Sequence, residues 1–269
     1  MRVFRYACFV VAILAFVHTL PFAVAADSQR RLQQGNSGVT WAQQAILALT
    51  GGTPVSSVRE SGSVTRTVGD DRRAGNITLQ ASGAMANQIT ISIPSGTLSE
   101  TRLWDGYAPS GQWTDLEGQV HPMKVLNCWT DAAWFFPALS LLSSYNDPTL
   151  VFNDLGPQQY SGGTTEHIQV YRYLADFPAS RRDLIQRVST VDYYIDTRTF
   201  LPVAMSFSQR GDQDINFDVP IAIVFSKYQA NNGVQVPLQV TELLDGLPYL
   251  RVSVSGISIN GQQSQLKKR

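Results

Sequence analysis

Apolar and polar residues alternate along most of the chain beyond residue 60. Ile77, Leu79 and Ala81 alternate with Thr78, Gln80 and Ser82, and Ile89, Ile91 and Ile93 with Thr90 and Ser92. The same beat recurs at Val203, Met205 and Phe207, at Val236, Leu238 and Val240, and at Leu250, Val252 and Val254. It begins at Ile168 and Val170, then breaks at Arg172. Successive side chains of a strand point to opposite faces, so this pattern predicts an antiparallel sheet with one apolar face. That face requires cover from another sheet, from helices or from a ligand.

Turn chemistry separates the strands. Asn232-Gly233 between two apolar runs is the strongest hairpin signal, and Asp245-Gly246 and Asp196-Thr197-Arg198-Thr199 mark two more. Two segments read as helical. The first runs from Thr40 to Thr50, with Trp41, Ile46 and Leu47 as its apolar stripe and Gly51-Gly52 as its stop. The second runs from Asn127 to Ser144, with Pro137 bending or splitting it. It carries Trp129, Trp134, Phe135, Phe136, Leu139 and Leu142 nearly all the way round, as expected of a helix buried on several sides. Pro178 to Arg187 reads as a charged interruption with a helical turn, and Gln262 to Arg269 as a polar tail.

The N-terminus reads as an export signal. Arg2 and Arg5 precede an apolar run from Cys8 to Val17, and Ala23-Val24-Ala25 forms a small-residue cleavage site. The run is shorter than the 18 or more residues that a membrane span requires. Residues 1–25 are therefore expected to be a cleaved signal peptide, residues 26–261 a single β domain, and residues 262–269 a flexible tail, with the mature chain periplasmic or secreted. Loss of Arg2 and Arg5 leaves 19 basic against 21 acidic residues, a balance that argues against nucleic acid as a partner. Only Cys128 then remains, so an intramolecular disulfide is excluded and Cys128 is expected to be a buried packing residue.

Reactive chemistry finds little support. After the signal, His121 and His167 stand far apart without nearby cysteines, so neither a zinc site nor any other metal or cofactor is expected. Asp212, Asp214, Asn216 and Asp218 have the spacing of the first calcium-loop ligands. Phe217 and Ile223 replace the glycine and glutamate such a loop needs, so the segment reads as a solvated turn. There is no G-x-S-x-G elbow. The aromatic segment is the remaining candidate. About eleven strands with one apolar face need more cover than two helices supply. Either the sheet folds on itself as a sandwich, or it curls into an open barrel that keeps an apolar cavity.

Two stretches carry a resemblance: Tyr193-Tyr194-Ile195-Asp196-Thr197-Arg198-Thr199-Phe200-Leu201-Pro202, and Phe225-Ser226-Lys227-Tyr228 with Asn232-Gly233-Val234-Gln235-Val236-Pro237. These resemble successive hairpins of the periplasmic lipoprotein-carrier (LolA-like) family. The resemblance implies a mainly β (α+β) fold: a curved antiparallel sheet forming an open half-barrel, with an N-terminal helix and an inserted aromatic helix as lid. It further implies noncatalytic, monomeric binding of a lipid or an acyl chain, with an envelope lipoprotein or receptor as a further partner. In that reading Trp129, Trp134, Phe135, Phe136, Leu139 and Leu142 form the lid, and Ile91, Tyr193, Ile195, Phe207 and Phe225 line the concave side. Two alternatives remain: a β-sandwich adhesion or carbohydrate-binding module using Trp104 and Trp113, and a hydrolase built on His121 or His167.

Overall fold

The computed structural model describes residues 37–211 and 217–265. The expected signal peptide and the first three positions of the calcium-like segment lie outside the described residues. A helix α1 occupies residues 37–50. Six strands follow: β1 (Ser57–Val68), β2 (Asp71–Ser82), β3 (Ala86–Ile93), β4 (Gly96–Trp104), β5 (Pro109–Thr114) and β6 (Val120–Pro122). After a short helix α2 (Val125–Cys128) come β7 (Leu150–Tyr160), β8 (Gly163–Arg172), a helix α3 (Ala179–Ser189), β9 (Val191–Asp196) and β10 (Pro202–Arg210). The chain closes with β11 (Asp218–Asn231), β12 (Val234–Leu244), β13 (Leu247–Ile259) and β14 (Gln262–Gln265).

All fourteen strands belong to one antiparallel sheet, in the order β6-β5-β4-β3-β2-β1-β13-β12-β11-β10-β9-β8-β7, with β14 beside β13. The strands number more than the eleven expected, because the Ser-, Thr- and Gln-rich strands carry a weaker alternation. Two meanders, β1–β6 and β7–β13, are joined through the β1–β13 pair. The sheet edges are therefore β6 and β7, and residues 123–149 run from one edge to the other. No second sheet packs on the first among the described residues, which overturns the sandwich alternative. The apolar face instead packs on α1 and on the edge-to-edge segment, and all three share one core.

Burial follows the sequence alternation. Ile89, Ile91 and Ile93 of β3 are buried, as are Val191, Tyr193 and Ile195 of β9. Asn232-Gly233 and Asp245-Gly246 turn with positive φ at both residues, the geometry of tight hairpins. Asn260-Gly261 does the same, so Gln262–Gln265 is a paired strand where a tail was expected. Helix α1 buries Ala42, Ala45 and Leu49, while Leu47 of the expected stripe is 62% exposed. The two alanines let the helix sit close to its neighbours. The charged interruption is a full helix, α3, whose Ile185 and Val188 pack on Trp129 in a small separate cluster.

The aromatic segment departs furthest from expectation. In place of a helix over Asn127–Ser144 there is one helical turn, α2, then an irregular stretch and two 3-10 turns, Pro137–Leu139 and Leu141–Ser144. The buried carboxylate of Asp131 accepts the N–H groups of Ala133 (2.9 Å) and Leu141 (3.0 Å), replacing helical bonds. Pro137 has no N–H to donate. Phe135, Phe136, Leu141 and Leu142 are fully buried, so the segment is a plug in the core and not a lid over it.

Glu60 interrupts the apolar face. It is fully buried between Leu79 and Ile257, its carboxyl lacks a hydrogen-bond partner, and burial pushes its pKa well above the usual carboxylate range. Next to it the β1–β13 register slips between Ser61 and Gly62. A Cβ at Gly62 would lie 2.0 Å from the carbonyl oxygen of Ser253. Gly62→Ala is thus expected to destabilise the chain by about 1–3 kcal/mol. A urea midpoint equal to that of the parent would show that β1 and β13 do not approach so closely.

Candidate ligand cleft

The plug leaves a cleft of about 470 Å³ at the mouth of the half-barrel. Ile89, Ile91 and Leu98 form one wall, from β3 and β4, and Phe207, Leu244 and Leu250 form the other, from β10, β12 and β13. Trp113 of β5 and Trp134 of the plug also line it. Three of the residues expected to meet a ligand therefore reach the cleft: Ile91, Trp134 and Phe207. Phe135, Phe136, Leu139, Leu142, Tyr193, Ile195 and Phe225 pack within the core instead, and Trp129 belongs to the α3 cluster.

Charged side chains complete the lining. Arg102 of β4 is 1% exposed, and its Nε donates to Glu100 Oε1 at 2.8 Å. Its Nη1 donates to Thr130 Oγ1 (2.9 Å) and to the Asn127 carbonyl (3.2 Å), which ties β4 to the plug. Asn127 continues the tie. Its Nδ2 donates to the Arg210 carbonyl (2.9 Å) and its Oδ1 accepts the Arg210 N–H (2.8 Å), fastening the plug to β10. Asn87 Nδ2 donates to the Ala132 carbonyl at 2.9 Å, and the Ala132 N–H donates to the Ala84 carbonyl at 3.0 Å. Beneath the cleft, Tyr193 of β9 donates its hydroxyl to Asp131 at 2.7 Å.

Glu242 of β12 faces the cleft half-buried, and its carboxyl has neither a hydrogen bond nor an ion pair among the described residues. Burial, reinforced by the negative charge of Glu100, pushes its pKa up to about 8, and Arg102 opposes the shift. Glu242 lines one cleft with Glu100 and Arg102, five strands away in sheet order, which shows how far the sheet curls. Burial also raises Asp131 to about 6, although its donors from Tyr193, Leu141 and Ala133 favour the charged form. Glu166 rises to about 7 through burial and its hydrogen bond with Asp154.

Arg66, Glu100, Arg102 and Glu242 were missed at the level of sequence, yet a signal was there. Arg66 continues the inward-facing alternation after Val64, Glu100 and Arg102 continue it after Leu98, and Glu242 after Val240, where a solvated charge is out of place. Other candidates went elsewhere. Trp104 and Trp113 share the face of Glu100 and Arg102, so they make no outward aromatic strip. His121 bonds to Asp115 (2.7 Å) and stacks on Trp113, and His167 bonds to Asp192 (2.9 Å) and stacks on Tyr194. A larger hollow of about 1140 Å³ lies on the outer face, where Ser61, Ser63, Asn76, Thr78 and Ser253 stand beside Ile77, Leu238 and Val254. Cys128 is buried, and burial pushes its thiol pKa up.

The half-barrel, the N-terminal helix and the aromatic insertion on the concave side match the architecture implied by the two hairpin stretches. The fold is an open antiparallel half-barrel. No family model matches the chain, and no curated protein matches it. Among solved structures, the chain is similar in fold to a DUF1329 family protein from Desulfovibrio piger, with a TM-score of 0.51, 9% identity, and coverage of 86% of this chain and 95% of that one. A LolA superfamily protein from Nitrosomonas europaea is similar with a TM-score of 0.48 and 8% identity, covering 86% and 94% of the two chains. A domain provisionally assigned to outer-membrane lipoprotein sorting, from Vibrio parahaemolyticus, gives 0.49 and 9%, covering 87% and 95%.

The raised carboxyls give the chain's stability a sign. Asp131, Glu166 and Glu242 keep protons when folded that the unfolded chain releases near its ordinary values of 3.8 to 4.5. Their contribution is full below those values and is lost as pH rises to about 8. Glu242→Gln should flatten the upper part of that decline, between about pH 6 and 8. Urea unfolding at stepped pH measures the slope, and equal slopes in parent and variant would place the Glu242 carboxyl in water.

Proposed function

We propose that the chain binds one acyl chain of a lipid or lipoprotein in the cleft at the mouth of the half-barrel, without catalysis, in the cell envelope. The observation that carries this reading is the cleft itself. An apolar trough of about 470 Å³ stays open between the two walls although the plug fills the rest of the concave face. That volume lies in the ordinary range of small-molecule sites. The expected export signal and the LolA-like fold support an envelope setting and a carrier role.

The cleft is suited to one chain and not to several. Each buried methylene contributes about 0.8 kcal/mol, so ten contribute about 8 kcal/mol. Association costs at least about 4 kcal/mol, which leaves a millimolar affinity from apolar contact alone. Polar contacts at the mouth therefore decide how tightly, and which, amphiphile is held.

A fluorescent fatty acid tests the reading. The parent chain should enhance its emission on binding, and Trp134→Ala should weaken the affinity by about tenfold, equivalent to 1.4 kcal/mol of lost contact. Circular dichroism confirms that the variant is folded. Emission unchanged by the parent chain, or a folded variant of equal affinity, would rule out the cleft as the acyl site.

A further inference from the structure

The cleft is bipolar, and its two poles stand on one row of the sheet. Arg66 of β1 and Glu242 of β12 are both in register with Leu250 of β13, which lies between them. Two strand spacings put their Cα atoms about 10 Å apart. Both line the cleft, and Leu250 between them is buried. Arg66 donates from Nε to the Tyr249 hydroxyl at 3.3 Å and lies over that ring, and no carboxylate pairs with it among the described residues. The remaining charges of the cleft are engaged by the protein. Arg102 is held by Glu100, Thr130 and Asn127, and Arg210 pairs with Asp218 at 3.1 Å. Glu100 gives one oxygen, Oε1, to both Arg102 and Asn87, and it lines the same cleft as Glu242. The cleft thus offers one open guanidinium at one end and two neighbouring carboxyls at the other.

We propose that the cleft selects a single-chain amphiphile with a zwitterionic head group, its phosphate against Arg66 and its ammonium against Glu242 and Glu100. The inference rests on the reading that the cleft takes an acyl chain. A guanidinium meets phosphate oxygens with two parallel donors, and an ammonium has three donors to share between two carboxyls. A purely anionic head leaves Glu242 without a partner, whereas an ammonium beside it favours its charged form. A purely cationic head leaves Arg66 without a partner. Only a head carrying both charges answers both poles.

Two lysophospholipids with the same acyl chain separate the possibilities: one with phosphoethanolamine, one with phosphoglycerol, which lacks the ammonium. Binding to the full chain is read from the fluorescence of Trp113 and Trp134, which line the cleft. The phosphoethanolamine lipid should bind about tenfold more tightly, the scale of one charge-assisted contact. Glu242→Gln should bring the two lipids to within about twofold by weakening the first alone, and Arg66→Gln should weaken both by about tenfold. Equal affinities in the parent chain, or a preference that survives Glu242→Gln, would overturn the head-group assignment while leaving the acyl site standing. Failure of both lipids and of the fluorescent fatty acid would overturn the acyl site as well.

Discussion

One topological constraint governs this molecule. The two edges of its sheet, β6 and β7, are consecutive in the chain, so the residues between them must cross the sheet from edge to edge. A crossing over the concave side meets the apolar face of nearly every strand, which explains why residues 129–142 are almost entirely buried. The crossing is held by polar ties at three places. Asn87 and Ala84 hold it at the β2–β4 wall, Asn127 at β10, and Asp131 with Tyr193 at β9. The buried side chains of Asn87, Asp131 and Tyr193 all have partners there, as an apolar interior requires. A helix would satisfy its own backbone but leave those walls untied. The irregular plug uses side-chain acceptors for its backbone and fastens both halves of the half-barrel together.

The candidate site is what this crossing leaves open. The plug is tied to β10 and β9 near its start, and the mouth between β3–β5 and β10–β13 keeps its own apolar walls. The charges at that mouth arise from the same geometry. Arg102 is buried because it ties β4 to the plug, and Glu100 accompanies it as its counter-charge. Glu242 then lies against an acidic neighbour in a partly desolvated place, which raises its pKa, and Arg66 remains open at the other end of the row. Structural necessity thus accounts for the engaged charges, and the two that are left over point toward a ligand.

Much of this was legible in the sequence, for identifiable reasons. Strands such as β3, β9 and β13 alternate cleanly, and Asn-Gly and Asp-Gly pairs fix the hairpins at 232 and 245. Periodicity alone did not separate a sandwich from a half-barrel, because both bury one face of the sheet. The hairpin stretches after Tyr193 and Phe225 pointed to the half-barrel through their resemblance. The plug was misread as a helix because apolar residues on all sides look the same in any buried segment. Asp131, buried among aromatics, marked where the backbone would find another acceptor. Of the residues expected to meet a ligand, Ile91, Trp134 and Phe207 line the candidate cleft, and their apolar character singled them out. Arg66, Glu100, Arg102 and Glu242 were passed over because strand charges are ordinarily read as solvent-facing.

The central claim is that the crossing segment is a fixed part of the core and that any guest sits at the mouth. Hydrogen exchange of the backbone amides of Ala133 and Leu141, with and without a saturating fluorescent fatty acid, tests it most directly. These amides donate to the buried Asp131 carboxylate and should exchange only through the rarest openings of the fold, no faster in the bound state than in the free one. Faster exchange at both positions in the ligand-bound state would show that the segment swings aside as a cover and would contradict the account.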